Sequence, residues 1–297
     1  MKVKIIEDAK VICSNRNSIH NYFAWPTVTK LQDGTLAMAA SGFRMRHICP
    51  FGKGIICYSR DEGKTWSRPE ILIDTPLDDR DCGILAYGEK NVIVTSFNDT
   101  IEVQRHCAKE HEKLNWKNWQ IDNPYIDAYL NTIEAQGLED KYIGSTYVLS
   151  NDGGYTFGDV RYCNVSTPHG PAVLNDGRLI YVGRTWNKKL AKSWPPINDE
   201  SDRLECHIMN ENGDFEFVSV IDDIFADGER MLSCEPHTII LPNGKIIVHI
   251  RVQSYTGGNN MCIFQCESCD NGKTFTKPHQ ITEFKEGGPS YILRCSD

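Results

Sequence analysis

No stretch of this chain stays apolar for anything like the ~18 residues that cross a membrane as a helix, so no membrane partner is expected. Positive charge is short: 32 Lys and Arg stand against 40 Asp and Glu, a net charge of −8. A nucleic-acid surface needs a basic face, which excludes nucleic acid as a partner. An anionic small ligand is not excluded, because a pocket can carry a sign opposite to the surface. Residues 1–11 alternate charged and apolar side chains and lack the apolar run of a secretory leader, so a cytoplasmic location is expected. Metal-ligand spacing is also missing. His47, His169 and His237 lie far apart with no i, i+4 pair, and Cys266 and Cys269 form a lone C-x-x-C without a second pair at zinc-finger spacing. Neither a metal nor a cofactor is expected. Cysteine itself is plentiful, at 12 residues. Most sit singly inside strand-like runs and read as buried free thiols.

What the chain does contain is a repeat. Three segments match S-x-D-x-G-x-T-[WF]: Ser59 to Trp66, Ser150 to Phe157 and Ser268 to Phe275. A degenerate copy starts at Asn210. The pattern is turn chemistry: the Asp caps nearby backbone, the Gly takes a positive φ, and the aromatic packs back on a sheet. Hairpins interleave with these turns. Residues 27–31 turn at Asp33-Gly34 into 36–40, 171–174 turn at Asp176-Gly177 into 179–182, and 237–241 turn at Asn243-Gly244 into 246–250. Asp-Gly and Asn-Gly favour two-stranded turns. A looser hairpin joins 83–87 to 92–96. The two series together predict an A–B hairpin, a C strand, an Asp-containing turn and a D strand, four times over, which is the unit of a β-propeller. The chain is read as one propeller domain over 1–297, all-β, with a Glu/Lys-dense insertion of short helices at about 99–145.

Blade geometry selects candidates by itself. Strand A runs away from one rim and B returns to it, so residues before A and after B gather around one mouth of the channel. Before the A strands stand Trp25, Asp79-Arg80-Asp81, His169 and Glu235, with His237 in the first turn of its strand. After the B strands stand Arg44 with His47, then Asn98, Arg184 and Arg251. The opposite rim holds ordinary turn residues. Arg44, Arg184 and Arg251 come from three blades, and guanidinium forks suit a carboxylate. Each also has a purely structural reading, as a bridge between blades.

Asp-box turns on four-stranded blades resemble the sialidase (neuraminidase) superfamily, over about residues 20–297. The sharpest local match is Glu235-Pro236-His237 through Arg251, a Glu opening a blade and an Arg closing its hairpin. The resemblance implies six blades, whereas residues 290–297 read as strand A of a fifth blade, so a shortened chain is expected. An open ring exposes sheet faces, from which a homo-oligomer is expected. The Arg of the family's Phe-Arg-Ile-Pro opening is absent, since this chain has Phe23-Ala24-Trp25-Pro26.

The resemblance further implies an exo-acting retaining glycoside hydrolase that releases a terminal acidic sugar, sialic acid or a related 2-keto sugar acid. In it Glu235 would act as the base for a tyrosine nucleophile, expected beyond residue 297. Arg44, Arg80, Arg184, His237, Arg251 and Trp25 would hold the substrate. Asp81 is the candidate acid, with His169 as the other proton donor; Arg80 beside Asp81 is expected to hold its pKa low. A hydrolase or lyase for another acidic sugar and a non-catalytic sugar-binding propeller stand as alternatives.

Overall fold

The structure, a computed structural model, describes residues 9–192, 196–256 and 261–293. Four antiparallel blades follow one another along the chain. Blade 1 is β1 (Tyr22–Lys30), β2 (Leu36–Arg44), β3 (Lys53–Ser59) and β4 (Glu70–Ile73). Blade 2 is β5 (Arg80–Tyr87) and β6 (Asn91–Phe97), then helices α1 (Ile101–Lys113), α2 (Trp119–Ala135) and α3 (Glu139–Tyr142), then β7 (Ser145–Ser150) and β8 (Arg161–Cys163). Blade 3 comprises β9 (Val165–Ser166), β10 (Ala172–Val173), β11 (Leu179–Thr185), the short helix α4 (Lys188–Ala191), β12 (Leu204–Met209) and β13 (Phe215–Ile221). A small ribbon of β14 (Phe225–Ala226) and β15 (Glu229–Arg230) leads to blade 4: β16 (Leu232–Ile240), β17 (Ile246–Gln253), β18 (Met261–Ser268) and β19 (His279–Gln280).

The Asp-containing turns close as their residue types demand. Asp61 Oδ1 accepts from the Thr65 backbone at 2.8 Å, Oδ2 accepts from the Thr65 hydroxyl at 2.6 Å, and Ser59 Oγ accepts from Gly63 N. Asp152 and Asp270 repeat the arrangement. In the degenerate copy, Asn210 Oδ1 accepts from the backbone of Asn212 and Asp214.

Separate apolar cores join blade 1 to 2 (Ile56, Ile73, Ile84, Val94), 2 to 3 (Ile93, Tyr147, Leu179, Met209) and 3 to 4 (Ile180, Leu204, Val248, Ile250). A sheet packed on both faces is buried continuously, as β6 is; one packed on a single face alternates, as β17 does. Blades 2 and 3 approach so closely that a Cβ on Gly83 would lie 2.5 Å from the Gly170 nitrogen. Gly83→Ala is therefore expected to cost ~1–3 kcal/mol, the penalty for forcing packed backbone apart; an unchanged urea midpoint would contradict this contact.

Two expectations are corrected. The described chain holds four blades, not six, and residues 290–293 do not form a fifth-blade strand. Among the described residues no strand lies alongside to pair with them. Instead the Ile292 amide donates to His237 Nδ1 at 2.7 Å and the Tyr291 ring stacks on His237, centroids 4.2 Å apart; residues 294–297 fall outside the description. The insertion is helical as read, but α1 and α2 run 13 and 17 residues rather than being short. Their apolar faces share a core with Cys49 and Leu77, on the loops of blade 1's rim. Eleven described cysteines are free thiols, most of them buried. No described helix is long and apolar enough to cross a membrane.

Candidate active site

The rim side chains are aimed by a repeated irregularity. Ala24 pairs with Ser41 and Thr27 with Ala39; Arg80 pairs with Phe97 and Gly83 with Thr95; Cys234 pairs with Arg251 and His237 with His249. In each case the A strand carries one residue more than B, a β-bulge at the same place in blades 1, 2 and 4. The bulged residues are Trp25, Asp81 and Glu235, with φ of 57°, 42° and 48°. Left-handed backbone at a non-glycine costs ~1–3 kcal/mol and persists where the surrounding fold enforces it. The strain lets one side chain per blade break the pleat.

Glu235 Oε2 accepts from Arg251 Nη1 at 2.6 Å, and Arg251 Nη2 donates to Gln253 at 2.7 Å. Asp81 is buried, with Oδ1 lacking any partner. Burial pushes its pKa up; Arg80 pulls the other way, and the charge of Glu235 adds to the rise. This corrects the expectation that Arg80 holds Asp81 low. The guanidinium stands only 4.0 Å from the Asp81 carboxylate, but it is shared with Asp78 and Asp99, at 3.5 and 3.4 Å. Desolvation therefore wins, and the Asp81 pKa is raised.

Arg44 does not join a substrate site. It is fully buried, 2.5 Å from Asp78, and donates to Ser41 Oγ and to the carbonyls of Asp79, Arg46 and His47. Its donors are consumed by the fold. Arg80 is buried too, and faces Asp78, Asp99 and His47. Trp25 lies beside both: the Arg44 and Arg80 guanidinium carbons are each 5.2 Å from its ring, and His47 is 5.1 Å away. Burial, then the charges of Arg80 and Arg44, hold His47 down at about 4.

Arg184 remains available in part. Its Nε and Nη2 grip Asp202 at 2.5 and 2.6 Å, its Nη1 makes no bond among the described residues, and the side chain is 24% exposed. Asp202 also accepts from Tyr255 at 3.0 Å. Charges of Glu235, Arg251, Arg184 and Asp202 all bear on the buried thiol of Cys234. His169 and His237 face one another at 4.7 Å, and burial lowers their pKa to about 4 and about 3. His169 is thereby neutral near pH 7 and holds no imidazolium proton to give. Among the described residues, no group of three or more His, Cys, Asp or Glu is placed to hold a metal ion.

Sequence reasoning missed Asp99, Asp202 and Tyr255. Asp99 follows a B strand and Asp202 precedes a C strand, positions that return to the same rim, so the rule that found Arg184 reaches them once extended to C strands.

Below this site lies a carboxyl that titrates. Asp79 is fully buried, and burial raises its pKa to about 7 although Thr75 donates to it from backbone and hydroxyl, at 2.7 and 2.8 Å. A carboxyl raised in the folded state favours folding below its unfolded value, near 4, and that contribution is lost as pH rises towards 7. Asp79→Asn is expected to remove this loss. Its stability relative to the parent should improve by about 2 kcal/mol between pH 5 and pH 8, at ~1.4 kcal/mol per pK unit; parallel urea midpoints at the two pH values would refute it.

No family model matches the chain, and no curated protein matches it. Solved structures do. A protein of unknown function from Dyadobacter fermentans superposes with a TM-score of 0.60 at 17% identity, covering 88% of this chain and 69% of its own. The NanB sialidase of Streptococcus pneumoniae gives 0.58 at 13% identity, covering 94% and 55%, so this chain spans about half that protein's length. An α-L-arabinanase of Penicillium chrysogenum gives 0.52 at 15%, covering 87% and 66%. These likenesses show the fold, a β-propeller. Four blades of it are described here.

Proposed function

We propose that this rim is the active site of an exo-acting glycoside hydrolase that removes a terminal acidic sugar, sialic acid or a related 2-keto sugar acid, from an oligosaccharide or glycoconjugate. The observation that carries the reading is the matched pair of bulges that turn Asp81 and Glu235 out of the pleat at the same place in blades 2 and 4, with the Glu235 charge adding to the rise of the Asp81 pKa. Asp81, whose pKa burial raises, gives its proton to the glycosidic oxygen as that bond breaks. Glu235, paired with Arg251, takes the proton of the attacking hydroxyl. Arg251 and the open Nη1 of Arg184 meet the sugar carboxylate. Sialidase and arabinanase neighbours with the same fold support glycosidic chemistry.

Two observations favour a second reading, an acidic sugar other than sialic acid. Trp25 stands in the family's first-Arg segment, and Arg44 is sealed inside the fold. Release of fluorophore from an aryl α-sialoside tests the first reading. Competition by free sialic acid against free glucuronic acid separates it from the second. Folded protein that binds an acidic sugar without turnover would leave a sugar-binding propeller instead.

A further inference from the structure

Two cysteines from separate parts of the chain meet on blade 1. Met38, Ala40, Ile55 and Cys57 form a small buried cluster. Their strand neighbours Ala37, Ala39 and Ile56 fill the core shared with blade 2, so the cluster lies on the opposite face of blade 1. The segment ahead of β1 covers it: Ile12 and Cys13 pack there together with Phe23, Phe43 and Trp66. That segment is also held at its other end. Asn15 N donates to Asn21 Oδ1 at 2.6 Å, and the His20 ring packs edge-on against Phe51 and Tyr125, with centroids 4.9 and 6.4 Å away. Cys57 is fully buried, Cys13 is half-buried, and both are free thiols. The Cys57 S–H donates to the Cys13 sulfur, which holds the Cys13 pKa below the ordinary thiol value. Cys57 itself is pushed up, by Cys13 and then by burial.

We propose that Cys13 and Cys57 are a reversible oxidation site, whose disulfide fastens the segment ahead of β1 to blade 1. Two thiols already in contact lie within reach of such a bond. The oxidant is a small disulfide such as oxidised glutathione. Cys13 reacts first, because it is the accessible member of the pair and the one whose thiolate forms more readily. Its thiolate, the proton lost to solvent, attacks one sulfur of the reagent and expels a glutathione thiolate, which leaves a mixed disulfide. Cys57, losing its proton in turn, attacks the Cys13 sulfur and expels the second glutathione. The two cysteines give up two electrons and two protons, and one oxidised glutathione becomes two reduced ones. A bridge from residue 13 to residue 57 removes loop freedom from the unfolded chain, so the oxidised protein is the more stable form. Nothing in this step depends on chemistry at the rim.

The test equilibrates the folded protein with oxidised and reduced glutathione at a series of ratios, blocks free thiols with N-ethylmaleimide, and maps peptides without reduction. The expected product is a peptide holding Cys13 joined to one holding Cys57, which grows with the share of oxidised glutathione and disappears with dithiothreitol. Its appearance should raise the melting temperature on the order of 5 °C. Cys57→Ala is expected to stop at the first step, with glutathione held on Cys13 and no thermal gain. Cys269, the exposed cysteine among the described residues, reports accessibility in the same map. Glutathione on Cys269 while Cys13 and Cys57 both stay open to N-ethylmaleimide would overturn the site. So would glutathione that stays on Cys13 in the parent as it does in the variant, or a link that forms only after unfolding in urea. A linked protein with an unchanged melting temperature would overturn the fastening. Should Cys57→Ala not fold, the parent map decides: the link upholds the site and its absence overturns it.

Discussion

Glu235→Gln is expected to lower kcat on an acidic-sugar glycoside by ~10²–10⁴-fold, the range for loss of a positioned proton acceptor. The substitution keeps the shape and length of the side chain, so the bulge with φ 48° is retained. The Arg251 guanidinium keeps Gln253 and finds the carboxamide oxygen where the carboxylate was, at 2.6 Å in the parent. Stability should therefore hold while turnover falls. Because the Glu235 charge helps to raise the Asp81 pKa, the alkaline limb of the pH–rate profile should also move. With the negative neighbour gone, Asp81 ionises more readily and any residual activity falls off at lower pH. Unchanged turnover in this variant would end the assignment of Glu235. Lost turnover accompanied by a lowered urea midpoint would move Glu235 from chemistry to structure.

Arg44→Met is expected to have the largest effect on stability, about 3–5 kcal/mol, because it leaves the buried Asp78 carboxylate without its nearest charge. Arg80 is 3.5 Å from the same carboxylate and softens the loss without replacing a contact of 2.5 Å. The double variant Arg44→Met with Asp78→Leu should recover most of the stability, since replacing a whole buried pair by apolar groups is far milder than breaking it. Urea unfolding of the parent, both single variants and the double variant measures the coupling directly. An Arg44→Met protein of parental stability but raised KM would return Arg44 to the substrate.

Much of the architecture was legible because it is local. The Ser–Asp–Gly–Thr turns satisfy their own backbone within a few residues, so their sequence is their structure: Asp61, Asp152 and Asp270 each bind the Thr four positions on. The Asp-Gly and Asn-Gly hairpins are local in the same sense. Counting rims from strand order then placed Trp25, Asp81, Arg184, Glu235 and Arg251 on one mouth without any knowledge of side-chain geometry. The polar, Lys- and Glu-rich insertion gave its helices away by composition. Their length and their docking on Leu77 and Cys49 depend on apolar contacts from blade 1, which no local window contains.

What only the tertiary structure decided was the use of each charge. Arg44, Arg184 and Arg251 look alike in sequence, each an arginine after a B strand. One is sealed against Asp78, one is clamped by Asp202 with a nitrogen left open, and one pairs with Glu235. The partner of Arg44 lies on the link to blade 2, that of Arg184 on the loop before the next strand and that of Arg251 across its own hairpin, and burial sets how strongly each pair is felt. The same holds for Asp81, where the neighbouring Arg80 suggested an ionised carboxylate and desolvation reversed the sign. It holds also for residues 290–293, whose strand-like sequence meets no strand to pair with among the described residues and lies on His237 instead. Sequence by itself determined the turns and the order of strands, because these follow from backbone preferences over a few residues. Protonation, accessibility and pairing at that rim depend on solvent exclusion by segments far apart in the chain, and the packed blades alone settle them.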